Sequence, residues 1–297
     1  MSVIKSNLLL LLAAAIWGFA FVAQRVGMEH VGPFTFNGVR FLLGSLSLIP
    51  LIFYFRDETQ SPRMGVKNAA LPGLLAGTVL FIGASLQQIG LVYTTAGKAA
   101  FVTCLYIVLV PVIGIFLRQS VDRGTWLGCM LAVVGLYFLC IKESSAIQFG
   151  DMLELIGALF WSFHILIIGH FSRKVDVLKL SCFQFLTCSI LSLIVATITE
   201  TIVINNLLAA AVPILYGGFC SVGIAYTLQV VGQKHAPPAH AAIILSMETV
   251  FAVIGGFLLL GEKLVGQEII GCALMLSGML VSQLHNLRAS KDEMVGF

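Results

Sequence analysis

Two charged side chains lie inside long apolar stretches of this sequence, where they could take part in chemistry. Glu248 lies within the stretch 239–260, and Arg40 lies within the stretch 34–54. A charged group at the centre of a bilayer costs at least about 2.5–3.5 kcal/mol on insertion scales, so such groups usually face a helical bundle or a wet cavity. Glu248 could bind a proton or a cation, or it could be a hydrogen-bonded acid at a helix crossing. Arg40 could bind a substrate carboxylate, or it could tie helix ends together.

Aromatic and polar side chains recur on single faces of four apolar segments. Residues three, four or seven positions apart share one face of an α-helix. Aromatic walls with a few directional polar groups suit a small amphiphilic solute, so we expect these faces to line one water-accessible cavity. For any single residue, packing or contact with lipid headgroups is an equal alternative. The candidates are Trp17, Phe21, Gln24, Gln87, Thr103, Tyr106, Trp161, His164, Tyr226 and Gln229.

The sequence shows no pattern typical of a catalytic, metal or nucleotide site. None of the histidines has a second potential metal ligand four residues away, and the cysteines all lie in apolar stretches without a CxxC pair. The stretch from Gly90 to Lys98 resembles a phosphate-binding loop, but its glycine spacing is wrong and Ala99 replaces the required Ser or Thr. We therefore expect no catalytic residue, no metal, no cofactor and no bound nucleotide.

The composition predicts a membrane protein. Hydrophobic residues make up 59% of the chain and charged residues 10%, and the mean hydropathy is +1.00. Soluble domains average roughly 45–50% apolar and about 25% charged residues, so a water-soluble chain this apolar would aggregate. The expected surroundings are a lipid bilayer. The net charge of +3 does not indicate a nucleic-acid partner, because the basic residues lie in short loops.

Ten apolar segments are long enough to cross a bilayer as helices, which takes about 20 residues each. The first continues well past the roughly 7–15 apolar residues of a signal peptide, and we interpret it as a span. No loop is long enough to form a soluble domain. The predicted spans are 7–25, 34–54, 69–91, 98–117, 124–141, 151–171, 179–198, 208–230, 239–260 and 265–285.

The distribution of Lys and Arg predicts the orientation. With the N-terminus in the cytoplasm, twelve basic residues fall on the cytoplasmic side: Lys5, Arg56, Arg63, Lys67, Arg118, Arg123, Arg173, Lys174, Lys179, Lys234, Arg288 and Lys291. Four fall on the opposite side: Arg25, Lys98, Lys142 and Lys263. Since positive charge is retained inside, both termini are expected in the cytoplasm and the protein in the plasma (inner) membrane.

The second half of the chain repeats the first. Residues 144 apart match at Trp17 and Trp161 and at Phe41 and Phe185, and residues 142 apart match at Gln87 and Gln229 and at Ala99 and Ala241. The predicted units are 1–145 and 146–297, each with five spans. Because five is odd, the second unit enters the membrane from the opposite side, which favours a midplane substrate site and alternating access. Alternatively, the duplication only stabilises a bundle.

Several short motifs along the chain together form a familiar pattern. They are Trp17-Gly18, Phe21, Arg40-Phe41, the stretch from Tyr93 to Ala100, Leu105-Tyr106, Pro111, Glu248, Gly261-Glu262-Lys263-Leu264, Gln267 and Gly271. In these features the chain resembles the EamA-like branch of the drug/metabolite transporter superfamily over essentially its whole length. It departs from the family pattern at Arg118-Gln119-Ser120, where a Gly-Glu pair is usual, and at Glu248-Thr249, where Glu-Pro is common.

The resemblance implies an all-α fold of ten transmembrane helices in two inverted five-helix repeats, with a central cavity open to one side at a time. It also implies transport of amino acids, other small metabolites or drugs without nucleotide hydrolysis. We therefore expect a secondary transporter, with export of amino acids or related amphiphilic solutes favoured. The alternatives are a non-transporting membrane subunit and an intramembrane enzyme, which would need convergent catalytic groups. The sequence indicates neither proton coupling nor an oligomeric state.

Overall fold

The computed structural model describes residues 3–55, 66–94, 96–140, 149–260 and 266–295. Throughout these ranges the regular structure is helical, and no strand is present. The first half contains α1 (Val3–Gly27), α2 (Pro33–Tyr54), α3 (Val66–Tyr93), α4 (Ala96–Thr103), α5 (Tyr106–Phe116) and α6 (Arg123–Cys140). The second half contains α7 (Phe149–Phe171), α8 (Val177–Thr199), α9 (Ile204–Ala209), α10 (Ala211–Leu215), a π-helical segment (Tyr216–Tyr226), α11 (Thr227–Gln233), α12 (Pro238–Leu245), α13 (Glu248–Leu260) and α14 (Gly266–Val295).

The helices are those of a multi-pass membrane protein, as predicted. Eight helical stretches are long and apolar enough to cross a bilayer, and two shorter apolar helices cover Arg123–Phe138 and Ile269–Leu284. Large apolar side chains such as Phe116 and Ile198 are exposed on the outer surface, where lipid would cover them. The all-α fold is confirmed, whereas the count of ten spans stays a prediction because, among the described residues, eight helical stretches are long and apolar enough to cross a bilayer.

Two of the predicted spans are broken at their centres. The stretch predicted at 98–117 consists of α4 and α5, and the stretch predicted at 239–260 consists of α12 and α13. At the second break, Ser246 Oγ donates to the carbonyl oxygen of Ile243 at 2.9 Å, and Thr249 Oγ1 donates to that of Ser246 at 2.7 Å. Such side-chain bonds compete with the helical ladder. Each stretch still counts as one candidate span, so the breaks change the local geometry and not the prediction of a span there.

A third irregularity is the π-helical segment Tyr216–Tyr226, which the sequence analysis treated as ordinary helix. Its glycines bring it close to α2: a Cβ built on Gly218 would lie 2.7 Å from Leu43 Cβ, and Gly44 faces Val222 in the same contact. A π-helix spaces its hydrogen bonds one residue wider than an α-helix, so it changes which side chains share a face. The helix α3, which is the matching span of the first half, has no such segment.

The helices of the two halves pack in matching pairs. Helix α2 packs on its counterpart α8, and α6 packs on its counterpart α14. Helix α3 packs on α7 and α8, and the matching π-helical segment packs on α1 and α2. A Cβ built on Gly128 would lie 2.6 Å from the carbonyl oxygen of Gly278, and one built on Gly135 would lie 2.6 Å from that of Gly271. These small residues let backbones approach closely. The unit boundary predicted at 145/146 lies outside the described residues and stays a prediction.

The start of α2 is capped by a residue from the other half. Glu200, directly after α8, accepts hydrogen bonds from the backbone N–H groups of Phe34 and Thr35, each at 2.8 Å, and from Thr35 Oγ1 at 2.6 Å. A Cβ built on Gly32 would overlap the Glu200 carboxylate. A carboxylate there compensates both the free N–H groups and the helix dipole, so Gly32 and Glu200 together join the two halves.

Candidate functional site

A cavity lies at the level of the two helix breaks, enclosed by helices of both halves. Thr103 and Tyr106 face it from either side of the first break, and Leu245 and Glu248 face it from either side of the second. The helices of each half therefore contribute residues from equivalent places. The complete lining is Trp17, Phe21, Gln24, Arg40, Gln87, Thr103, Tyr106, Trp161, Ile165, Ser221, Tyr226, Gln229, Leu245 and Glu248.

The structure brings together most of the residues singled out in the sequence. Arg40, Glu248 and nine of the ten cavity candidates lie in the lining, whereas His164 does not. Their role in binding stays a prediction. The sequence analysis missed Ile165, Ser221 and Leu245. Two of them had a signal in the repeat, because Ile165 lies 144 residues after Phe21 and Leu245 lies 142 residues after Thr103.

His164 lies one layer behind the cavity, so the expectation that it lines the cavity is corrected. Its ring packs edge-on against Trp161 at 6.0 Å and Tyr226 at 6.1 Å, and its Nε2 lies 2.8 Å from Gln184 Oε1. Successive helical residues turn by about 100°. Trp161 and Ile165 therefore share the face towards the cavity, while His164 points to α8.

Tyr226 is the centre of an aromatic wall. Its ring lies 4.6 Å from that of Trp17 and stacks on that of Trp161 at 6.2 Å between centroids. The indole N–H of Trp17 donates to the carbonyl oxygen of Ser221 at 3.2 Å. The buried indole N–H of Trp161 has no acceptor among the described residues. The wall can therefore hold an apolar group while one indole N–H remains available to a ligand.

Glu248 keeps part of its hydrogen-bonding capacity unused. Its Oε1 accepts from Tyr106 Oη at 3.0 Å and from Cys104 Sγ at 3.4 Å. The side chain is 6% exposed, and within the described chain neither a cation nor a further donor to Oε2 accompanies it. A carboxylate accepts about four hydrogen bonds, so Glu248 can still bind a donor in the cavity.

Arg40 is the other charged residue of the lining, and it has no carboxylate partner among the residues that the structure describes. Its guanidinium lies over the rings of Phe36 at 5.4 Å and Phe41 at 5.0 Å. The side chain is 2% exposed, and its Nε has no hydrogen-bond acceptor in the described ranges. Aromatic faces compensate a buried cation only partly, by about 2 kcal/mol when it is desolvated. The cavity thus carries one basic and one acidic group, neither neutralised by an opposite charge that the structure describes.

A second acid lies behind the lining. Glu154 on α7 is fully buried. Its Oε2 accepts from Thr103 Oγ1 at 2.8 Å, and its Oε1 has no partner in the described part of the chain. One turn nearer the start of α7, Asp151 accepts from Thr94 Oγ1 at 2.8 Å. The sequence analysis missed Glu154 because it lies near the end of a span, where an acid usually reaches water. The repeat did contain a signal, because the matching residue of the first half, Leu10, is apolar where this half has an acid.

Metal ligands do not gather at this site. In the described parts of the chain, no three His, Cys, Asp or Glu side chains come close enough together to hold a metal ion. The motif Gly261-Glu262-Lys263-Leu264, which contributed to the family resemblance, lies outside the described residues.

The chain is similar to known transporters along nearly its full length. The model of the EamA-like transporter family matches residues 4–141 and again residues 148–283. A protein of Archaeoglobus fulgidus named "Uncharacterized transporter" is 33% identical over 284 residues, which are 94% of this chain and 86% of the relative. A "Probable amino-acid metabolite efflux pump" of Salmonella typhimurium is 24% identical, and the alignment covers 94% of this chain and 94% of the relative. These matches confirm the family resemblance seen in the motifs.

A solved structure shares the fold. It superimposes with a TM-score of 0.78 at 19% sequence identity, over 96% of this chain and 98% of that chain. At this identity the likeness concerns the arrangement of helices and carries no statement about the substrate.

Proposed function

Because the chain belongs to the EamA-like transporter family, we propose that it is a secondary transporter that exports amino acids or related amphiphilic metabolites by alternating access. The observation that carries the proposal is the pair of charged residues in the cavity lining, Arg40 and Glu248, each without an opposite charge among the described residues.

A zwitterion would supply both missing charges. Removing Arg40 and Glu248 from water is expensive unless opposite charges and hydrogen bonds replace the water. The carboxylate of an amino acid matches the planar fork of the Arg40 guanidinium, which can donate two parallel hydrogen bonds. Its ammonium group can donate to Glu248, and an apolar side chain can lie against Tyr226 and Trp161. Trp161 Nε1 offers a further donor.

The two helix breaks support an alternating-access mechanism. In transporters with inverted repeats, discontinuous helices meet the substrate near the midplane, and the halves rock about it. Here the breaks lie at Cys104 and Leu105 in one half and at Ser246 and Met247 in the other, and Cys104 Sγ lies 3.8 Å from the Ser246 carbonyl oxygen. A rearrangement at one break would therefore be felt at the other.

Direction and location form part of the proposal. Export is supported by the name of one relative, "Probable amino-acid metabolite efflux pump", which describes that relative and not this chain. The plasma (inner) membrane and two cytoplasmic termini are supported by the Lys and Arg distribution, with twelve residues on one side and four on the other.

Counterflow in liposomes tests the proposal. Purified protein is reconstituted without ATP or a partner, loaded with unlabelled amino acids, and diluted into a labelled amino-acid mixture. We expect saturable exchange, which Arg40→Gln and Glu248→Gln each reduce strongly. Arg123→Gln and Glu29→Gln, which remove an exposed charge of each sign, serve as matched controls. A protein that is folded and monodisperse yet exchanges no amino acid would overturn the proposal and favour a non-transporting subunit.

A further inference from the structure

Glu154 is a buried acid without a compensating charge among the described residues. It is 0% exposed, and in the same part of the chain it accepts one hydrogen bond, from Thr103, and its Oε1 has no donor. Within the described chain, no cation forms an ion pair with it. We propose that Glu154 is a proton-binding site connected to the cavity by Thr103, and that proton binding there drives solute export. The inference rests on the proposed transport function.

The fold itself does not require an acid at this position. A Cβ built on Gly90 would lie 2.6 Å from Glu154 Oε1, so α3 approaches α7 closely over this carboxyl. In the other half the matching contact is between Gly232 and Leu10, where a built Cβ would lie 2.8 Å from Leu10 Cγ. Gly90 and Gly232 are 142 apart, and Leu10 and Glu154 are 144 apart, which are the offsets of the repeat.

The Thr103 hydroxyl, which donates to Glu154, also has no counterpart in the other half. Thr103 corresponds to Leu245 at the same offset of 142, and both residues line the cavity. At the matching positions one half thus has Leu10 and Leu245, which are buried and apolar, and the other has Glu154 and Thr103. Since leucines suffice for packing, the acid and the hydroxyl add a property that packing does not need.

That property is the reversible binding of a proton. An isolated carboxylate in an apolar interior is far more costly than the neutral acid, because nothing replaces its hydration. When a proton from water adds to the Glu154 carboxylate, an O–H bond forms and the group becomes neutral. The acid can then donate to Thr103 Oγ1, whose own O–H is free to turn towards the cavity. Loss of the proton to water restores the carboxylate and the present hydrogen bond.

The surroundings provide a polar route to one membrane face. Asp151, one turn closer to the start of α7 and 6% exposed, accepts from Thr94 at the end of α3. In the proposed orientation this end of the bundle is the outer face. On the cavity side, the ionisable neighbours are Glu248 and its donors Tyr106 and Cys104. Lys98 belongs to the first turn of α4, and its side chain lies outside the described residues.

The experiment separates coupling from transport. Proteoliposomes are assayed with the labelled amino-acid mixture in two ways: counterflow at equal pH, and accumulation driven by a pH gradient, with a trapped pH-sensitive dye to record proton movement. We expect Glu154→Gln to lose gradient-driven accumulation and solute-dependent proton movement, while its counterflow stays within about threefold of the unmodified protein. Glu154→Leu, which copies the other half, should behave in the same way and guards against a misfolded glutamine variant. Glu29→Gln removes an exposed acid and should leave both assays unchanged.

A spectroscopic measurement provides an independent readout. We expect a pH-dependent infrared band of a protonated carboxyl group that is absent from Glu154→Gln. Gradient-driven accumulation that persists in Glu154→Gln and Glu154→Leu would overturn the proton site. Counterflow without any pH-gradient dependence in the unmodified protein would also overturn it, while the proposed transport function would stand. Absence of counterflow in the unmodified protein would overturn both.

Discussion

Tyr106 donates a hydrogen bond of 3.0 Å to Glu248, and the two residues are 142 positions apart in the chain. The same offset relates the two halves, so these residues occupy equivalent positions, each the first residue after a helix break. If the two halves were identical in sequence, the same side chain would stand at both positions; here a phenol meets a carboxylate. The bond joins the two breaks directly at the cavity lining.

Loss of this bond should weaken the contact between the halves. In Tyr106→Phe, Glu248 Oε1 keeps only the weak Cys104 thiol donor, and a buried acceptor that loses a partner costs about 1–3 kcal/mol. We expect a lower melting temperature of the detergent-solubilised protein. Tyr93→Phe removes a hydroxyl from a half-exposed tyrosine and is the control. An unchanged melting temperature in Tyr106→Phe would show that the bond does not stabilise the assembled halves.

Arg40 should determine whether a solute needs a carboxylate. We expect an amino acid to compete in counterflow far better than the amine formed by removing its carboxylate. In Arg40→Gln this preference should shrink, because the variant has no fork to pair with a carboxylate, while Arg40→Lys should retain part of it. Each tenfold loss of preference corresponds to about 1.4 kcal/mol. If the preference is the same in all three proteins, Arg40 has the structural role that the sequence analysis left open.

The sequence analysis left open whether Glu248 binds a proton, binds a cation or is a hydrogen-bonded acid at a helix crossing. Glu248→Gln distinguishes the first two roles, and a lower melting temperature with unchanged pH dependence of transport would indicate the third. If Glu248 binds the ammonium group of the solute, Glu248→Gln should reduce counterflow itself. If it were instead the coupling proton site, the variant should lose only the dependence on the pH gradient and keep counterflow. The proposed function predicts the first result. The second would transfer the coupling role from Glu154 to Glu248.

The cap on α2 predicts that Gly32 and Glu200 are stability determinants. Glu200→Ala leaves the Phe34 and Thr35 N–H groups without their acceptor, and loss of a helix cap typically costs about 0.5–2 kcal/mol. Gly32→Ala should destabilise as well, because its methyl group would displace the carboxylate. Asp176, which caps α8 through the Lys179 N–H at 2.9 Å, is the matching residue of Gly32. Asp176→Ala measures the cost of a cap within one half, and a melting temperature for Glu200→Ala above that of Asp176→Ala would count against a special role at the junction.

The orientation can be tested with reporter fusions. A reporter placed after residue 145 should report the outside, and one placed after residue 297 should report the cytoplasm, because positive charge is retained inside. The reverse pattern would contradict the orientation and would place the Asp151 end of α7 in the cytoplasm.

Much of the fold could be predicted from the sequence, because helix-length apolar runs and the positions of glycine and proline mark the helices well. The cavity faces followed from helical periodicity, which placed Trp17, Phe21 and Gln24 on one side of α1. Periodicity holds only while the helix stays regular. The π-helical segment changes the phase around Ser221, and sequence spacing contains no signal for that change. The breaks at residues 104–105 and 246–247 were also missed, although Ser246, Glu248 and Thr249 place polar side chains at the second one.

The site was harder to predict where a side chain acts through a neighbour. His164 shares the spacing of a cavity residue but faces α8, since a spacing of three leaves a difference of about 60° around the helix. Glu154 could be recognised only by comparing the two halves, where its partner is Leu10. In each case the deciding information is which helix packs on which face, and that is a property of the assembled bundle.

The glycine contact between α6 and α14 has a mechanical consequence. Gly128 meets Gly278, and Gly135 meets Gly271, with no room for a methyl group at either place. Neither helix contributes a residue to the cavity lining in the described ranges. Because α6 and α14 are in close backbone contact at these glycines, the two halves can rotate about this contact but cannot move apart there. The displacement of each half during transport would therefore increase with distance from the glycines. Helices α6 and α14, the last spans of the two halves, would then form the axis of this rotation. A bulkier residue at Gly128 would slow the turnover of solute without changing the affinity of the cavity for it.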